Sequence, residues 1–512
     1  MSQPEPASDT PRVEDTSPLD WKYVAEGGST IVFSYAGPPR PQFDGTVLRL
    51  RKRPLSAHAD AHAEEAQGAH RAPSQPQPQP QLSSTNKDED PVPTPAPSAD
   101  QAPPSLASPA AETDPDAAAA TAAAAANDEE PDDPTIVFQR TVIERLLPRA
   151  HLPRLAAVHV ARPWLAQLAA HAEPLRPPER RTRDAIDLAR RKAVLATDLV
   201  SGDGWAVEIK PKWGFLPAPT HLAPATRALK TRTCRFCMHA HLKRLRQADS
   251  AAPAAEVAEG YCPLDLYSGE PARVRRALEA LWDAWVRSGG AVNSLRVFVR
   301  GGMVRPRVGA VSDLPALRAA FTSALLPILL HTPVLHTLST LQRTLDALDV
   351  EGLAHLWARA RGAGVPLGAG EREPDVREWA AFVQRYLARQ RQQQGDGGGW
   401  GGGGGASENG AEDRHEEEEE EDELRDALLG YLLSASFKDC SLIVRMPPAS
   451  PSPSCPSSSS PSTATVTVID LDVKPLARLS KWAQLDAEIV HAYRAVREPR
   501  ACVDARAAGR AC

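Results

Sequence analysis

The chain is poor in aromatic residues, at 5%. That argues against a surface built from rings interleaved with basic residues, on which nucleic-acid bases stack. It has no apolar run of about 18 residues, so no membrane span is expected. Met1-Ser-Gln-Pro-Glu-Pro lacks the basic and apolar regions of a secretory leader. Gly509-Arg-Ala-Cys512 is not a prenylation box. Cysteine is scarce too: seven in 512 residues, an odd number, scattered, with two in the last eleven positions. That excludes a regular disulfide framework and suits a reducing compartment, nucleus or cytoplasm.

What is abundant is punctuation. With 49 Pro, 32 Gly and long biased stretches, roughly 350–380 residues look able to fold, which is still ample for a core. The formal net charge of −6 conceals an asymmetry. Between Arg140 and Arg246 there are 21 Lys+Arg against 8 Asp+Glu, while the acids gather in Asp88–Asp133 and Glu412–Glu423. A basic folded region attracts polyanions, either nucleic acid or a phosphorylated small molecule.

Residues 1–20 read as disordered. Ile31–Tyr35 and Thr46–Arg51 read as strands joined by a Gly-Pro-Pro-rich turn. Residues 57–134 hold Gln-Pro repeats, an Ala tract and acidic clusters, and are assigned to disorder. Folded sequence resumes at Pro134, and 140–200 reads as mainly helical. A strand is expected at 205–212 and another at Leu295–Arg300, with amphipathic helices over 271–288 and 312–362. Residues 392–423 and 447–463 are low-complexity inserts, and 501–512 a tail. The second insert separates Cys440–Arg445 from Thr465–Asp470, which reads as a hairpin with a long tip. A helix follows, with Pro475 at its first position.

The most particular stretch is Glu208-Ile-Lys210-Pro-Lys212-Trp-Gly-Phe-Leu-Pro217. In an extended segment Glu208, Lys210 and Lys212 share a face. An acid between two ammonium groups there reads as the centre of a phosphate-handling site. Gly27-Gly28 is an ordinary hairpin turn, or a place where backbone amides approach phosphate oxygens. Cys234-Arg-Phe-Cys237-Met-His239-Ala-His241-Leu-Lys243 invites a zinc reading, since on a helix the thiols sit at i and i+3 and His241 at i+4 from Cys237. Asp439, in Lys438-Asp-Cys-Ser441, and Asp470 with Asp472 lie on successive strands, the last two on one face. Alone they are solvated strand ends; together they suit phosphoryl transfer, which needs a proton acceptor and carboxylates for Mg²⁺.

Together, in order and spacing from about residue 21 to 494, these patches resemble the inositol-pentakisphosphate 2-kinase family, whose EIKPKxGFLP and CRFCMHxxLK patterns stand here at 208–217 and 234–243. The resemblance implies transfer of the ATP γ-phosphate to the axial 2-hydroxyl of inositol 1,3,4,5,6-pentakisphosphate, giving inositol hexakisphosphate. It implies Asp439 as base and Asp470, with Asp472, as Mg²⁺ ligands. Nucleotide contacts fall to Gly27, Gly28, Arg49, Asp198, Glu208, Asn293 and Arg296. Substrate phosphates fall to Arg180, Lys210, Lys212, Lys243, Lys474 and Arg478, and to Trp482, where the family has Tyr. It also implies that the CxxC pair is not a zinc site, because family zinc ligands are expected elsewhere, in a region where this chain offers none.

The expected fold is α+β and two-lobed like a kinase, with residues 21–56 and 135–200 in one lobe, 201–500 in the other and ATP between. A monomer is expected, with neither nucleic acid nor membrane as partner. Protein kinases are a poor fit, since no HRD-type loop, DFG or VAIK lysine is present. The alternative is an inactive family member that binds inositol polyphosphates or other polyanions, and the presence of both Asp439 and Asp470 speaks against it.

Overall fold

The computed structural model describes residues 10–55, 130–248, 260–306, 314–395, 412–447 and 464–508. The chain divides into two compact units. One comprises 1–51, 132–175 and 187–512; the other comprises 52–131 and 176–186. Helices and antiparallel sheets occur together, so the class is α+β. No single helix among the described residues is long and apolar enough to cross a membrane.

Eleven strands are described: β1 Trp21–Glu26, β2 Thr30–Tyr35, β3 Thr46–Pro54, β4 Leu155–His159, β5 Asp184–Ile186, β6 Lys192–Thr197, β7 Trp205–Ile209, β8 Leu295–Val299, β9 Gly302–Val304, β10 Ser441–Met446 and β11 Thr465–Ile469. The first sheet runs β1-β2-β3-β6-β4, antiparallel throughout. The second runs β11-β10-β7-β8-β9, also antiparallel. Its inner strands β7 and β10 are buried on both faces, which explains their nearly unbroken apolar sequences. The polar exceptions, Glu208 and Ser441, are themselves buried. Helices Pro271–Arg287, Leu314–His331, Val334–Leu345, Asp349–Arg361, Val376–Gly395 and Glu412–Asp439 share one apolar core with this sheet.

In the smaller unit β5 pairs with the last three residues of β3. Asp184 accepts from Arg176 at 2.6 Å and pairs with Lys52 at 3.0 Å. This buried triad encloses the one-turn helix Pro178–Arg181, which carries Arg180.

Several expectations need correction. Residues 140–200 are mixed, because β4, β5 and β6 lie among the helices. Order begins before 134: Asp132 meets Lys192 at 3.2 Å, Asp133 grips Arg51 at 2.6 Å, and Asp133 caps helix Pro134–Thr141 by accepting from the Thr135 N–H. Capping needs a short acid just before Pro at the helix start, and acidic composition hid that signal. Residues 392–395 complete one helix and 412–423 begin another. Gln and Glu are good helix formers, and Arg361 answers Glu421 while Arg385 and Arg389 answer Asp426. Residues 10–20, expected to be disordered, hold two short turns, with Val13 and Thr16 buried and Ser17 capping Pro18–Asp20. The expected disorder at 1–9, 57–129, 396–411 and 448–463 lies outside the described residues. Finally, the helix expected from Pro475 starts at Arg478; Pro475 closes a turn before it.

Candidate active site

The signature strand ends earlier than its alternation predicts. β7 stops at Ile209, and Lys212 adopts a left-handed backbone, φ 64°. Without glycine this conformation costs about 1–3 kcal/mol, so the surroundings must enforce it. They do so through carbonyl groups. Pro211 O accepts from Tyr261 Oη at 3.0 Å. Lys212 O accepts from Gln342 Nε2 at 3.0 Å and Tyr267 Oη at 3.3 Å. Gly214 then donates its N–H to Gln342 Oε1 at 2.7 Å and accepts from Ser339 Oγ at 2.7 Å. A Cβ at Gly214 would stand 2.9 Å from the Tyr267 ring, so glycine is required there.

As a result Glu208, Lys210 and Lys212 do not share one face. Glu208 is buried, accepting from Arg296 Nη1 at 3.1 Å, with the Ser441 hydroxyl 2.8 Å from its other oxygen. The same hydroxyl lies 3.1 Å from Asp470 Oδ2, and Lys210 Nζ approaches that oxygen at 3.5 Å. Asp470 also has a positive φ, 61°, just past the end of β11. The predicted strand alternation of Asp470 and Asp472 is therefore broken. Asp472 is exposed, its carboxylate close enough to Arg51 of β3 to favour that charge. Both oxygens of Glu208 are thus occupied, while Asp470 and the exposed Asp472 keep hard oxygen donors of the kind Mg²⁺ takes.

Lys212 instead reaches Asp439, the last residue of helix Glu412–Asp439. Its Nζ lies 3.3 Å from Asp439 Oδ1, and Lys474 Nζ lies 3.1 Å from Oδ2. A carboxylate at a helix C-terminus faces the negative end of the dipole, and desolvation pushes its pKa up. Lys212 and Lys474 outweigh this and hold Asp439 below the ordinary carboxylate value. Desolvation, aided by Lys210 and resisted by Asp439, lowers Lys212.

Asp439 stands on a cleft of about 500 Å³. Lys212, Lys243, Asn293, Lys474, Arg478 and Trp482, all singled out in the sequence, line it together. Asn293, matched there to nucleotide, thus sits among the side chains matched to substrate. Arg235, His239 and Lys438 also line the cleft and had no sequence-based role. Arg235 donates Nε to Asp486 at 2.7 Å, and Asp486 is bound in turn by the buried Lys230 at 2.9 Å. Lys438 is buried against Asp346. Trp213 lies between these two cations, with Lys438 Nζ 4.1 Å and Arg235 Cζ 4.9 Å from its ring centre. Burial, with Arg235 and Lys243 next, pushes His239 down to about 4. The cleft thus carries six Lys or Arg side chains and one acid, a composition that suits a highly charged anion.

The remaining predicted residues lie apart from this cleft. Gly27 and Gly28 form the exposed tip between β1 and β2; a Cβ at Gly28 would meet nothing within 4 Å, so packing does not demand glycine there. Arg49 is half-buried on β3 and makes no ion pair among the described residues. Asp198 is buried, accepting from Ser34 Oγ and from the N–H groups of Val200 and Ser201 at 3.0 and 2.9 Å. It fixes the link between the two sheets. Arg180 belongs to the smaller unit.

The CxxC segment holds a surprise. Cys234 and Cys237 meet Cys262 and Cys502, all four buried and all four sulfurs within 4.8 Å of one another. Sequence reasoning weighed the pair only with its neighbouring histidines and left Cys262 and Cys502 out. The partners lie 25 and 265 positions beyond Cys237, where no local pattern connects them. Neither histidine joins them: His239 faces the cleft, and His241 packs its ring 5.4 Å from Tyr493.

Gln342 was also invisible in the sequence. Besides Lys212 O and Gly214 N–H, its Nε2 holds Phe437 O at 2.9 Å, two residues before Asp439. Replacing it with Leu leaves the buried Gly214 N–H unsatisfied, at about 1–3 kcal/mol before relaxation, and strips the Lys212 and Phe437 carbonyls of one bond each, leaving them only the longer bonds from Tyr267 Oη at 3.3 Å and Cys440 Sγ at 3.2 Å. Gln342→Leu is expected to lower stability by about 2–4 kcal/mol and to reduce kcat by loosening Lys212 and Asp439 together. Denaturant midpoints and steady-state kinetics on the same preparation check both.

Comparison with known proteins gives a family. The profile of the inositol-pentakisphosphate 2-kinase family matches residues 23–488. An inositol-pentakisphosphate 2-kinase of Cryptococcus neoformans is 30% identical over 490 residues, covering 93% of each chain. That of Arabidopsis thaliana is 25% identical over 521 residues, covering 94% of each. That of Danio rerio is 39% identical over a 98-residue segment, 19% of this chain and 17% of the relative.

Proposed function

The chain belongs to the inositol-pentakisphosphate 2-kinase family, and from that premise we propose how its residues carry out the reaction: transfer of the ATP γ-phosphate to the 2-hydroxyl of inositol 1,3,4,5,6-pentakisphosphate, giving inositol hexakisphosphate. One observation carries the reading. Asp439 is held between Lys212 and Lys474 at the wall of a cleft with six Lys or Arg side chains. A module that only binds polyanions has no use for a carboxylate in the middle of its cations, where it weakens binding.

The substrate's phosphates settle among Lys212, Lys243, Lys474 and Arg478, with Arg235 and His239 on the same wall. Lysine acts as a point charge, while arginine grips two oxygens at once. Asn293 and Trp482 offer neutral donors to the ring's remaining groups. The 2-hydroxyl faces Asp439, which orients it and takes its proton as the oxygen–phosphorus bond forms and the bond to ADP breaks. Before substrate arrives, the lysines keep Asp439 a weak base. Phosphates give Lys212 and Lys474 competing acceptors and add negative charge, so the carboxylate becomes a better base once the site is filled. A loose transition state asks little more than this of the base.

The nucleotide lies on the side of Arg49, Gly27 and Gly28, between two lobes formed around the two sheets. Asp470, with Asp472, would hold Mg²⁺, which screens the phosphate charge; Lys210 stands beside Asp470 to meet the transferred group. Arg180 and Asp198 complete the assignment, the first toward substrate and the second through the loop it braces near the nucleotide. Glu208 acts by aligning Arg296 and Ser441. This reading includes ATP and Mg²⁺ as requirements, a monomeric enzyme, and action in nucleus or cytoplasm.

Incubation with ATP, Mg²⁺ and inositol pentakisphosphate, with products separated by charge, is expected to give the hexakisphosphate. Phosphorylation of another acceptor but not this one, by folded protein, refutes the reading. Asp439→Asn is expected to lower kcat by about 10²–10⁴-fold, the usual contribution of a general base, with KM nearly kept; a fall of less than tenfold assigns the proton elsewhere.

Cleft and nucleotide side separate in a second measurement. Lys474→Ala and Arg478→Ala are expected to raise KM for the inositol substrate about ten- to a hundredfold, the scale of a lost charge-assisted bond, and to leave KM for ATP within a few-fold. Arg49→Ala should do the reverse. If Lys474→Ala weakens ATP and spares the inositol, the two sides have been exchanged.

A further inference from the structure

Helix Arg235–Ala248 presents Arg235, His239 and Lys243 to the cleft from successive turns of one face. Lys243 was assigned to substrate through its motif, and Arg235 was not. Arg235 is nevertheless fixed on two sides. Its Nε donates to Asp486 Oδ1 at 2.7 Å, and its guanidinium carbon lies 4.9 Å from the centre of the Trp213 ring. Only 12% of the side chain is exposed. Among the described residues neither of its terminal nitrogens donates a hydrogen bond. Two nitrogens are thus left over, in a cleft lined by Lys212, Lys243, Lys474 and Arg478.

Arginines that serve an ion pair are used differently elsewhere in this chain. Arg51 gives Nε and Nη2 to the two oxygens of Asp133 at 2.6 Å each, and Arg318 does the same with Asp283 at 2.8 Å. Arg235 spends a single nitrogen. The other oxygen of Asp486 is engaged by Lys230 at 2.9 Å. Lys230 and Arg235 outweigh burial and hold Asp486 below the ordinary carboxylate value, so it remains a charged anchor. Trp213 supplies the second constraint and is itself held. Its ring lies 19° from the plane of Phe215 with centroids 6.1 Å apart, and it takes Lys438 Nζ at 4.1 Å. Position 213 is the open one in the EIKPKxGFLP pattern, and tryptophan is the residue whose face attracts a cation most strongly.

A guanidinium pinned at Nε and stacked by its face keeps one edge for other use, the edge that carries Nη1 and Nη2. That edge matches two oxygens of a phosphate, a geometry lysine does not offer. Orientation fixed before the ligand arrives removes part of the ordering cost of binding. We propose that Arg235 grips one phosphate of the inositol substrate through its two terminal nitrogens, and that Trp213 is the positioning residue that sets its aim. This rests on the cleft being the inositol polyphosphate site. It adds an element of specificity that point charges lack, because a fork favours a phosphate at one place and in one orientation over negative charge in general.

The test measures binding to the full chain by titration calorimetry, with inositol pentakisphosphate and with the inositol tetrakisphosphates that each lack one of its phosphates. Arg235→Lys keeps the charge and loses the fork, and is expected to weaken the pentakisphosphate about tenfold. It should weaken the tetrakisphosphates by a similar factor with one exception, the isomer lacking the phosphate that Arg235 grips. Trp213→Leu is expected to weaken binding about three- to tenfold with the same exception, and Trp213→Phe to restore most of the loss. The double variant should be little worse than Arg235→Lys alone, as for two residues acting through one contact. A role in packing alone weakens all the isomers alike. A uniform loss, or unchanged pentakisphosphate affinity in Arg235→Lys, therefore overturns the proposal while leaving the reading of the cleft intact. Should Arg235→Lys not fold, the isomer pattern of Trp213→Leu decides in its place. Folded wild-type protein that does not bind the pentakisphosphate refutes the reading of the cleft, and this arm with it.

Discussion

The buried carboxamide of Gln342 is the joint on which the site depends. It bonds the Lys212 carbonyl and the Gly214 N–H on one side and the Phe437 carbonyl on the other. One side chain thus ties the signature loop to the end of the helix that presents Asp439. The loop needs such a tie, because Lys212 has a backbone conformation that a lysine does not choose. Tyr261, Tyr267 and Ser339 add their own bonds to the same few peptide groups. The strain at Lys212 has a use: a continued strand would send its side chain out on the face shared by Glu208 and Lys210, whereas the left-handed turn sends it to Asp439.

A cleft crowded with cations poses a second problem. At an effective dielectric of about 20, two like charges 4 Å apart repel by about 4 kcal/mol. The protein manages this from behind the cleft. Arg235 is bound to Asp486, Lys438 to Asp346, and Lys212 and Lys474 share Asp439. Trp213 adds its ring face to both Arg235 and Lys438. Buried pairs of this kind give little net stability. Their value is positional, because each holds a charge in place before the substrate comes, and preorganised charge needs no rearrangement during the reaction.

How much of this was legible follows from where each signal resides. The antiparallel pairs β2–β3 and β10–β11 could be read because alternation and turn residues are local. Lys212, Lys243, Asp439, Lys474 and Arg478 were found through family motifs, and the structure brings them to one cleft. Arg235 stood inside a quoted motif but read only as part of its pattern, and His239 there drew attention as a metal ligand rather than as part of a cleft. Gln342, an ordinary residue on an amphipathic helix, had nothing to mark it. The left-handed turns at Lys212 and Asp470 were hidden because neither residue announces positive φ as glycine does. Acidic and Gln-rich composition was taken for disorder at 130–134, 392–395 and 412–423, although capping and helix propensity were present in the same letters.

The four cysteines show the limit most clearly. CxxC is a local pattern, and histidines two and four positions later were the obvious candidates to complete it. The fold instead turns His239 to the cleft and His241 to Tyr493, and brings Cys262 and Cys502 from afar. The C-terminal segment therefore cannot be judged by its position as a tail. Cys502, Val503, Asp504 and Arg506 each bond to residues between 216 and 343. Those partners include Leu216 of the signature and Tyr267, whose hydroxyl supports Lys212. Tolerance of a terminus to truncation depends on what its backbone and side chains hold, and here they hold the underside of the signature loop.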